Sequence, residues 1–418
     1  MSVTYTQRIV DTQLANRLAS AGAILIEGPK SCGKTETARQ HAASEVLLDI
    51  DAAARSTLEI APQALLAGPT PMLIDEWQLA PEVWNLVRRE VDNRRGRGQF
   101  ILTGSATPTA DTRRHSGAGR FSVIRMRPMS LAESGESSKT VSLDALLSGR
   151  EQQAPDPGLT IESLVAAICR GGWPALIGSS ANESSLFLRD YLTNVSHVDI
   201  PSISGSMRSP TKVALVLASL ARHTSTEAGI ATIASDITHS DQTVDRRTAA
   251  DYMEALDRLM LVEDQPAWSP RLRSRAAIRT TPKRHFVDPS LAVAAMGATQ
   301  QQLLRDPKTL GLLFESLVVR DLRVLSGPLD ATVHHYRDSS QLEIDAIVRC
   351  ADGRWGAFEV KLGASQVDTA ARQLLRFKDR VDLSGVGEPS VLAVVTGRGV
   401  AYKRPDGVHV VPIGCLGP

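Results

Sequence analysis

The amino-acid sequence predicts a multidomain α/β protein, and three observations along the chain support this fold class. Over the first 130 residues, short apolar stretches alternate with helical ones, which is typical of a parallel sheet covered on both faces. Between residues 210 and 297, three helical stretches precede a hairpin, and the remaining residues again mix strands with helices. At roughly 150 residues per domain, 418 residues suffice for two to four domains. We predict four segments, at 1–135, 136–205, 206–297 and 298–418.

The composition excludes several classes of protein. The 47 Lys and Arg residues nearly cancel the 46 Asp and Glu residues, and the formal net charge of +1 excludes a basic coat for nucleic acid. The four cysteines form no CxxC pair, so neither a zinc site nor a disulfide framework is indicated. No apolar run reaches the roughly 20 residues that a bilayer requires. We therefore expect a cytoplasmic protein that makes no contact with a membrane.

The first segment is predicted to contain five strands with helices between them. The apolar stretches that predict the strands lie at 23–26, 46–50, 72–74, 100–103 and 123–126. A helix is predicted at 82–92, between the third and fourth strands. This alternation indicates a parallel sheet, and the loop that follows the first strand identifies its type.

That loop fits the phosphate-binding pattern GxxxxGK[ST] without a mismatch. Its residues are Gly28, Pro29, Lys30, Ser31, Cys32, Gly33, Lys34 and Thr35. The glycines allow backbone N–H groups to face phosphates, and the following helix adds the positive end of its dipole. We expect Lys34 to contact the β- and γ-phosphates of ATP, and the Thr35 hydroxyl to bind Mg²⁺. The alternative is a chance glycine turn.

Polar residues end the third and fourth strands. Asp75 is expected to hold Mg²⁺, mostly through water, and Glu76 to orient the attacking water, unless the pair only caps the next helix. Ser105 is the candidate contact to the γ-phosphate or the water, with a plain turn as the alternative. Arg120 is a candidate arginine finger, in cis or from a neighbouring subunit, with a surface ion pair as the alternative.

The second segment is predicted to connect the ATP site to the rest of the chain. Residues 133–158 are rich in Ser, Gly, Gln and Pro, which is typical of an exposed connection, with one short helix at 142–147. Two longer helices are predicted at 161–170 and 185–195.

The third segment is predicted to be a winged helix. Two short helices and a longer third precede a hairpin formed by 261–264 and 284–287. The wing, residues 267–287, carries no acid and six basic residues, Arg271, Arg273, Arg275, Arg279, Lys283 and Arg284, and Arg246, Arg247 and Arg258 adjoin it. This basic wing predicts contacts to DNA phosphates. The alternatives are a solvated wing and a surface that docks onto an acidic face of another domain.

The fourth segment carries carboxylates in the order of a restriction-endonuclease-like core. Glu315 lies on a predicted helix, Asp345 on a strand, and Glu359 and Lys361 face one side of the next strand. Asp345 and Glu359 are expected to bind Mg²⁺ or Mn²⁺ with help from Glu315, and Lys361 to lie beside the attacking water and the scissile phosphate. The alternatives are a chance set of exposed carboxylates and a nuclease-like fold without activity.

The ordered motifs together resemble the prokaryotic AAA-family ATPases with a C-terminal domain of unknown function and a restriction-endonuclease-like, Holliday-resolvase-like core. The matching pieces cover nearly the full length: GPKSCGKT, LIDEWQLAP, ILTGSA, GAGRF, RPMSLAES, GGWPAL, HFVDPSLAVAAMG, GLLFESLVVRDL, YRDSSQLEIDAIV and FEVK. The resemblance implies ATP hydrolysis by Lys34, Thr35, Asp75 and Glu76. It also implies nuclease-core positions for Glu315, Asp345, Glu359 and Lys361. One departure is His197-Val198-Asp199, where the family commonly has an Arg-Asp pair.

Two functions of different class follow from these patterns. The first is an ATP-hydrolysing enzyme that acts on DNA, with a Mg²⁺-dependent C-terminal nuclease. The second is an ATP-switched signalling, scaffold or transcription-regulatory protein whose C-terminal domain does not cut. ATP, ADP and DNA are the expected partners, and a homo-oligomer is compatible with the Arg120 hypothesis.

Overall fold

The computed structural model describes residues 5–106, 116–204, 209–238, 245–271 and 281–418, without the side chains of residues 203, 204 and 238. Within these residues the chain forms a five-stranded parallel sheet, a helical middle and a six-stranded mixed sheet. Among the helices of the described ranges, none combines the length and the apolar character of a membrane span.

The N-terminal sheet is parallel throughout and has the order β2-β3-β4-β1-β5. Its strands are β1 Ala23–Glu27, β2 Ser44–Leu47, β3 Met72–Asp75, β4 Phe100–Gly104 and β5 Phe121–Arg125. Its helices are α1 Ile9–Leu18, α2 Lys34–Arg39, α3 Ala52–Ile60 and α4 Glu82–Arg94. The predicted sheet is confirmed. Strand β2 ends three residues earlier than predicted, because the chain turns there and Asp51 caps α3 by accepting the N–H of Ala54 at 2.9 Å.

The middle of the chain is helical. It contains α5 Leu131–Ser134, β6 Val141–Ser142, α6 Leu143–Leu147, α7 Ile161–Arg170, α8 Ala181–Asn194, a π-helical turn Val195–Asp199, α9 Ile200–Ser204, α10 Pro210–Arg222, α11 Ile230–Thr238, α12 Arg246–Arg258 and α13 Pro289–Met296. After α12 the chain pairs antiparallel with itself, Val262 with Phe286 and Gln265 with Lys283. This is the predicted order of three helices and a hairpin. Arg273, Arg275 and Arg279 of the basic wing lie outside the described residues.

The C-terminal sheet has the order β11-β12-β10-β9-β8-β7, antiparallel from β7 to β9 and parallel from β9 through β10 to β12. The strands are β7 Thr332–Arg337, β8 Glu343–Arg349, β9 Trp355–Lys361, β10 Val391–Thr396, β11 Tyr402–Lys403, β12 His409–Pro412 and, outside this sheet, β13 Leu416–Gly417. The helices are α14 Gln300–Arg305, α15 Pro307–Ser326 and α16 Val367–Arg380. Phe358 shares a core with Leu317 of α15, and Ala357 shares one with Leu374 of α16. The alternating strand residues therefore pack against two different helices.

The stretch expected to be an exposed connection is exposed at 138–140 and 148–151, but its predicted short helix is packed into the protein. Leu143, Leu146 and Leu147 of α6 are buried, and β6 pairs in parallel with β13, which lies more than 270 residues later in the sequence. Its Ser, Gly and Gln residues indicated exposure, but the three leucines face one core. This part of the chain thus contacts the C-terminal domain.

A buried ion-pair network ties the segments together. Arg320 of α15 donates to Asp288 at 2.8 Å and to Asp321 at 2.6 Å. Asp288 also accepts the backbone N–H of Gly172 at 3.0 Å, and Asp321 accepts that of Leu131 at 3.0 Å. All three charged side chains are nearly inaccessible to solvent. The network links the end of the ATPase segment, the helical middle and α15.

Candidate functional site

The phosphate-binding loop lies between β1 and α2, as the sequence predicts. Gly33 has a φ of +101° and precedes the first residue of α2, a conformation that favours glycine. The Lys34 ammonium is buried and donates to the carbonyl oxygens of Gly28 at 3.0 Å and Pro29 at 2.9 Å. The loop therefore curls around the lysine that is expected to contact phosphate.

The predicted magnesium ligands are neighbours. The Thr35 hydroxyl donates to Asp75 Oδ1 at 2.9 Å, and the Thr103 hydroxyl donates to the same oxygen. Asp75 and Thr103 meet because β3 and β4 are parallel neighbours whose carboxyl ends lie at the same edge of the sheet, and Thr35 reaches this edge from the first turn of α2. Hydroxyl and carboxylate oxygens are ligands that Mg²⁺ accepts in proteins, together with phosphate and water. The donor set at Thr35 and Asp75 thus fits Mg²⁺ held with a nucleotide.

Glu76 and Ser105 are brought together at the same edge. Ser105 Oγ donates to Glu76 Oε2 at 3.2 Å, and Gln78 Nε2 donates to the same carboxylate oxygen. Glu76 has a φ of +52°, in the left-handed region that costs free energy for a residue with a side chain. All three residues line the cavity above the phosphate-binding loop. Two donors therefore hold the Glu76 carboxylate at the wall of this cavity.

The cavity has a volume of about 1000 Å³ and extends beyond the ATPase segment. Lys30 and Thr35 line it on one side, and Pro174, Asp199 and Arg258 of the helical middle line it on the other. Lys30 Nζ lies 2.6 Å from Asp199 Oδ1, which joins the phosphate-binding loop to the π-helical turn. A volume of this size is in the range of small-molecule sites in proteins. The helical middle therefore closes one side of the candidate nucleotide site.

Two arginines lie elsewhere than the sequence suggested. Arg258, expected to extend the basic wing, lines the nucleotide cavity at the end of α12. Arg120, the candidate arginine finger, is absent from the residues that line this cavity. Its side chain is 41% exposed and binds Asp92 of α4 at 2.9 Å. Within one chain, Arg120 therefore sits in a surface ion pair and not at the ATP site.

Arg8 is a further residue of this site that the sequence did not indicate. It is 4% exposed, and it donates to the carbonyl oxygens of Cys32 and Arg127 and to the Glu133 carboxylate, each at 2.9 Å. These contacts tie the phosphate-binding loop to the end of β5 and to α5. No local pattern marks Arg8, because its partners lie 24 to 125 residues away.

A second pocket, of about 410 Å³, contains the predicted C-terminal residues. Glu315, Asp345, Glu359 and Lys361 all line it. Lys361 Nζ lies 3.1 Å from Asp345 Oδ2 and 2.8 Å from Glu359 Oε2, and Asp345 also accepts the N–H of Val360 at 2.8 Å. The four residues therefore converge from α15, β8 and β9.

Lys283 also lies in this pocket, although the sequence placed it on a DNA-contacting wing. Its ammonium is 2.7 Å from Glu315 Oε1, 2.8 Å from Glu343 Oε1 and 3.5 Å from Asp345 Oδ1. Its side chain is 2% exposed. The neighbouring Arg284 also binds groups of the protein itself, donating to the Asp264 carboxylate and to the carbonyl oxygen of Ala228. These two basic residues dock onto acidic groups of the protein itself.

Burial and neighbouring charges shift the pKa of Lys283, Asp345, Glu315 and Glu359 in this pocket. Burial opposes the charge of Lys283, but Glu315, Asp345 and Glu343 overcome this and hold its pKa well above the usual value. Burial also opposes the charge of Asp345, yet the two lysines keep its pKa below its usual range. Burial, reinforced by Asp345, raises the pKa of Glu315 to about 7 and that of Glu359 well above its usual range. The pocket thus combines ionised lysines with carboxyl groups that ionise reluctantly.

The C-terminal carboxylates in this arrangement do not fit a divalent metal. Asp345 Oδ1 faces Lys283 and Asp345 Oδ2 faces Lys361, so both oxygens contact an ammonium group. Among the residues described, no group of three or more His, Cys, Asp or Glu side chains could hold a metal ion. The Mg²⁺ or Mn²⁺ site expected at Asp345 and Glu359 would require these lysines to move.

Comparison with known proteins assigns the three parts of the chain. Residues 20–135 match the family model of an AAA domain, and residues 161–302 and 310–416 match two domains of unknown function, DUF8612 and DUF4143. Two relatives, an uncharacterized protein of Mycobacterium bovis and one of Mycobacterium tuberculosis, are each 25% identical over 361 residues. Each alignment covers 85% of this chain and 74% of the relative.

Two solved structures are also similar. A Walker-type ATPase of Pyrococcus abyssi aligns at a TM-score of 0.43 and 13% identity, over 70% of this chain and 96% of its own. AMPPCP-bound DnaA from Aquifex aeolicus aligns at a TM-score of 0.23 and 13% identity, over 61% of this chain and 89% of its own. From the loop geometry and the family match, the chain carries an AAA-type P-loop ATPase domain followed by two domains of unknown function.

Proposed function

We propose that the protein is a Mg²⁺-dependent ATPase that acts on DNA. The observation that carries the ATPase part is the contact of Thr35 with Asp75, beside a buried Lys34 and below a cavity faced by Glu76. This is the group of side chains that phosphoryl transfer requires, because the protein mainly positions the reactants and stabilises charge.

Each residue of the site has one role in the proposed hydrolysis. Lys34 contacts the phosphates, and Thr35 and Asp75 hold Mg²⁺, which supplies neutralisation of phosphate charge when bound. Glu76 orients the attacking water, and Ser105 keeps the Glu76 carboxylate in place through its 3.2 Å hydrogen bond. Arg258 and Asp199 bring the helical middle to the same cavity, so nucleotide state can be read by the rest of the chain.

The ATPase proposal is tested by replacing Lys34. We expect Lys34→Ala to abolish ATP turnover, because the loop loses the ammonium group that is proposed to contact the phosphates. Lys308→Ala is the matched control, since Lys308 is exposed at the start of α15. Turnover by Lys34→Ala equal to that of the Lys308→Ala control would exclude the proposed site.

DNA is proposed to bind at the start of α12 and along the basic wing. Arg246 and Arg247 are exposed there, and the Arg271 side chain is 75% exposed with one long ion pair to Asp382 at 3.6 Å. Lys283 and Arg284 do not contribute, because the protein's own carboxylates bind them. Arg246, Arg247 and Arg271 thus offer exposed positive charge on a nearly neutral chain, as phosphate contacts require.

The salt dependence of binding tests this surface. Replacing Arg246 and Arg247 by alanine should weaken duplex DNA binding and lower the slope of log K against log salt by about 2, since two phosphate contacts are lost. The control pair is Arg305→Ala with Lys308→Ala, two exposed basic residues far from α12 in sequence. An unchanged slope in the first pair excludes this surface. Fluorescence anisotropy with labelled duplex is the measurement.

The C-terminal domain leaves two candidate activities. Convergence of Glu315, Asp345, Glu359 and Lys361 favours a metal-dependent nuclease with a restriction-endonuclease-like core. The contacts of Lys283 favour an ATP-switched scaffold or transcription regulator that does not cut. Linear, single-stranded and branched DNA, incubated with Mg²⁺ or Mn²⁺ with and without ATP, separates them. Cutting that is lost in Asp345→Ala supports the nuclease, and no cutting under any condition supports the second candidate.

A role for Arg120 in hydrolysis requires a neighbouring subunit, because its side chain lies outside the cavity of its own chain. Specific ATPase activity should then rise with protein concentration, and Arg120→Ala should abolish that rise. A flat specific activity across a dilution series excludes the role.

A further inference from the structure

The C-terminal carboxylate cluster already contains a cation, the ammonium group of Lys283. Oxygens of Glu315, Glu343 and Asp345 surround this nitrogen at 2.7, 2.8 and 3.5 Å. A lysine at 2% exposure is rare unless carboxylates compensate its charge, and here three of them do. The contacts are those of a built site and not of a side chain folded over a surface.

The ammonium lies where the carboxylate oxygens converge, and this is also the position that a shared divalent ion would take. A divalent ion binds carboxylate oxygens at about 2.0 to 2.6 Å, shorter than the ammonium contacts, so the two cations cannot share the space. Lys361 occupies the other side of Asp345 and the Glu359 carboxylate. Lys283 is therefore the group that a metal must displace to bridge Glu315 and Asp345.

The lysine and the carboxylates come from different parts of the chain. Lys283 lies within the stretch matched by the first domain of unknown function, and Glu315, Asp345 and Glu359 lie within the second. The hairpin holds Lys283 through two backbone hydrogen bonds with Gln265, at 2.9 and 3.0 Å. Gln265 in turn donates its side-chain amide to the carbonyl oxygen of Asp345 at 3.0 Å. The position of the hairpin on β8 thus decides whether the cluster contains Lys283.

We propose that Lys283, positioned by the hairpin, is a built-in competitor for the divalent cation and keeps the C-terminal cluster closed to metal. This inference extends the proposed nuclease-like role, and it rests on that role because the divalent ion is the one that the proposed nuclease requires. The charges support it. With Lys283 present, four carboxyl groups face two ammonium groups, and without it they face one, that of Lys361. Removing Lys283 therefore enlarges the surplus of negative charge by one, which a divalent ion can neutralise.

Binding of Mn²⁺ to the nucleotide-free full-length protein, followed by electron paramagnetic resonance of the free ion, tests the proposal. Lys283→Met should gain one additional bound equivalent, or at least tenfold tighter binding, relative to the unmodified protein. Adding Asp345→Asn to Lys283→Met should remove that gain. Lys378→Met, at an exposed lysine paired with Glu388, is the matched control and should gain nothing.

Two results would overturn the proposal. One is an equivalent of Mn²⁺ that the unmodified protein already binds and that Asp345→Asn alone removes, because Lys283 would then not exclude the metal. The other is a folded Lys283→Met protein that gains no Mn²⁺. If Lys283→Met does not fold, Lys283→Met with Glu343→Gln lowers the surplus charge by one and takes its place, with the same expected gain.

Failure of this inference and failure of the nuclease proposal give different results. Gain of Mn²⁺ by Lys283→Met without DNA cutting sustains the inference and counts against the nuclease. DNA cutting by the unmodified protein, with no gain of Mn²⁺ in the folded Lys283→Met variant, supports the nuclease and overturns this inference.

Discussion

Arg320→Met is expected to destabilise the protein more than any exposed ion-pair variant. Arg320 is 2% exposed and donates to Asp288 at 2.8 Å and to Asp321 at 2.9 and 2.6 Å. Methionine keeps most of the side-chain volume but leaves two buried carboxylates without a cation. Burial already raises the pKa of Asp321 against the opposing effect of Arg320.

The magnitude follows from what remains after the substitution. Removing one partner of a buried ion pair costs about 3 to 5 kcal/mol. The N–H groups of Gly172 and Ser290 still bind Asp288, and that of Leu131 still binds Asp321, so the lower end of the range is appropriate. We expect a loss of about 3 kcal/mol in the free energy of unfolding.

Urea unfolding followed by far-ultraviolet circular dichroism measures this loss. The matched control is Arg39→Met, because Arg39 is 36% exposed and pairs with Glu36 and Glu45 on the surface, where such pairs contribute about 0 to 1 kcal/mol. Adding asparagine at both Asp288 and Asp321 to Arg320→Met should recover part of the loss, since no uncompensated charge remains. A loss in Arg320→Met no larger than in Arg39→Met would refute the reasoning.

Three further predictions concern the nucleotide site and the pH dependence. Glu76→Gln should lower the rate of ATP hydrolysis by about 100-fold while the Kd for ATP changes little, because the amide cannot act on the water. A fluorescent ATP analogue should bind Arg8→Met at least about tenfold more weakly, since the loop loses a charged hydrogen bond to Cys32, and equal affinity would contradict this. Burial lowers the pKa of His335 to about 4 from a usual 6.5, so its neutral form contributes stability above pH 6.5. That stability, about 3 kcal/mol, should be lost as the pH falls from about 6.5 to 4. His335→Asn should flatten this slope, and the exposed control His197→Asn should not.

The phosphate-binding loop and the strands around it could be predicted because their signals are local or follow from topology. Eight consecutive residues make the loop, and its glycines and lysine act within that span. Asp75 ends β3 and Thr35 follows β1, and because both strands belong to one parallel sheet, the two residues lie at the same edge, which a sequence pattern already implies. The convergence of Glu315, Asp345 and Glu359 follows the same logic of helix and strand order.

The partners of individual charges could not be predicted. Arg8 carried no pattern, and Arg258 was grouped with the basic wing although it lines the nucleotide cavity. The wing itself looked like one surface, although Lys283 and Arg284 are bound inside the protein. Composition shows that a residue carries a charge, but not whether water, a phosphate or a distant carboxylate compensates it.

The amino-acid sequence by itself therefore determined the ATPase segment and its phosphate-binding residues, because short-range geometry defines them. Only the tertiary structure decided that Lys283 takes the cation position among the C-terminal carboxylates, 32 residues from Glu315 in sequence. The physical reason is that a buried charge is compensated by whatever the folded chain brings within about 3 Å, and this depends on how separate segments dock.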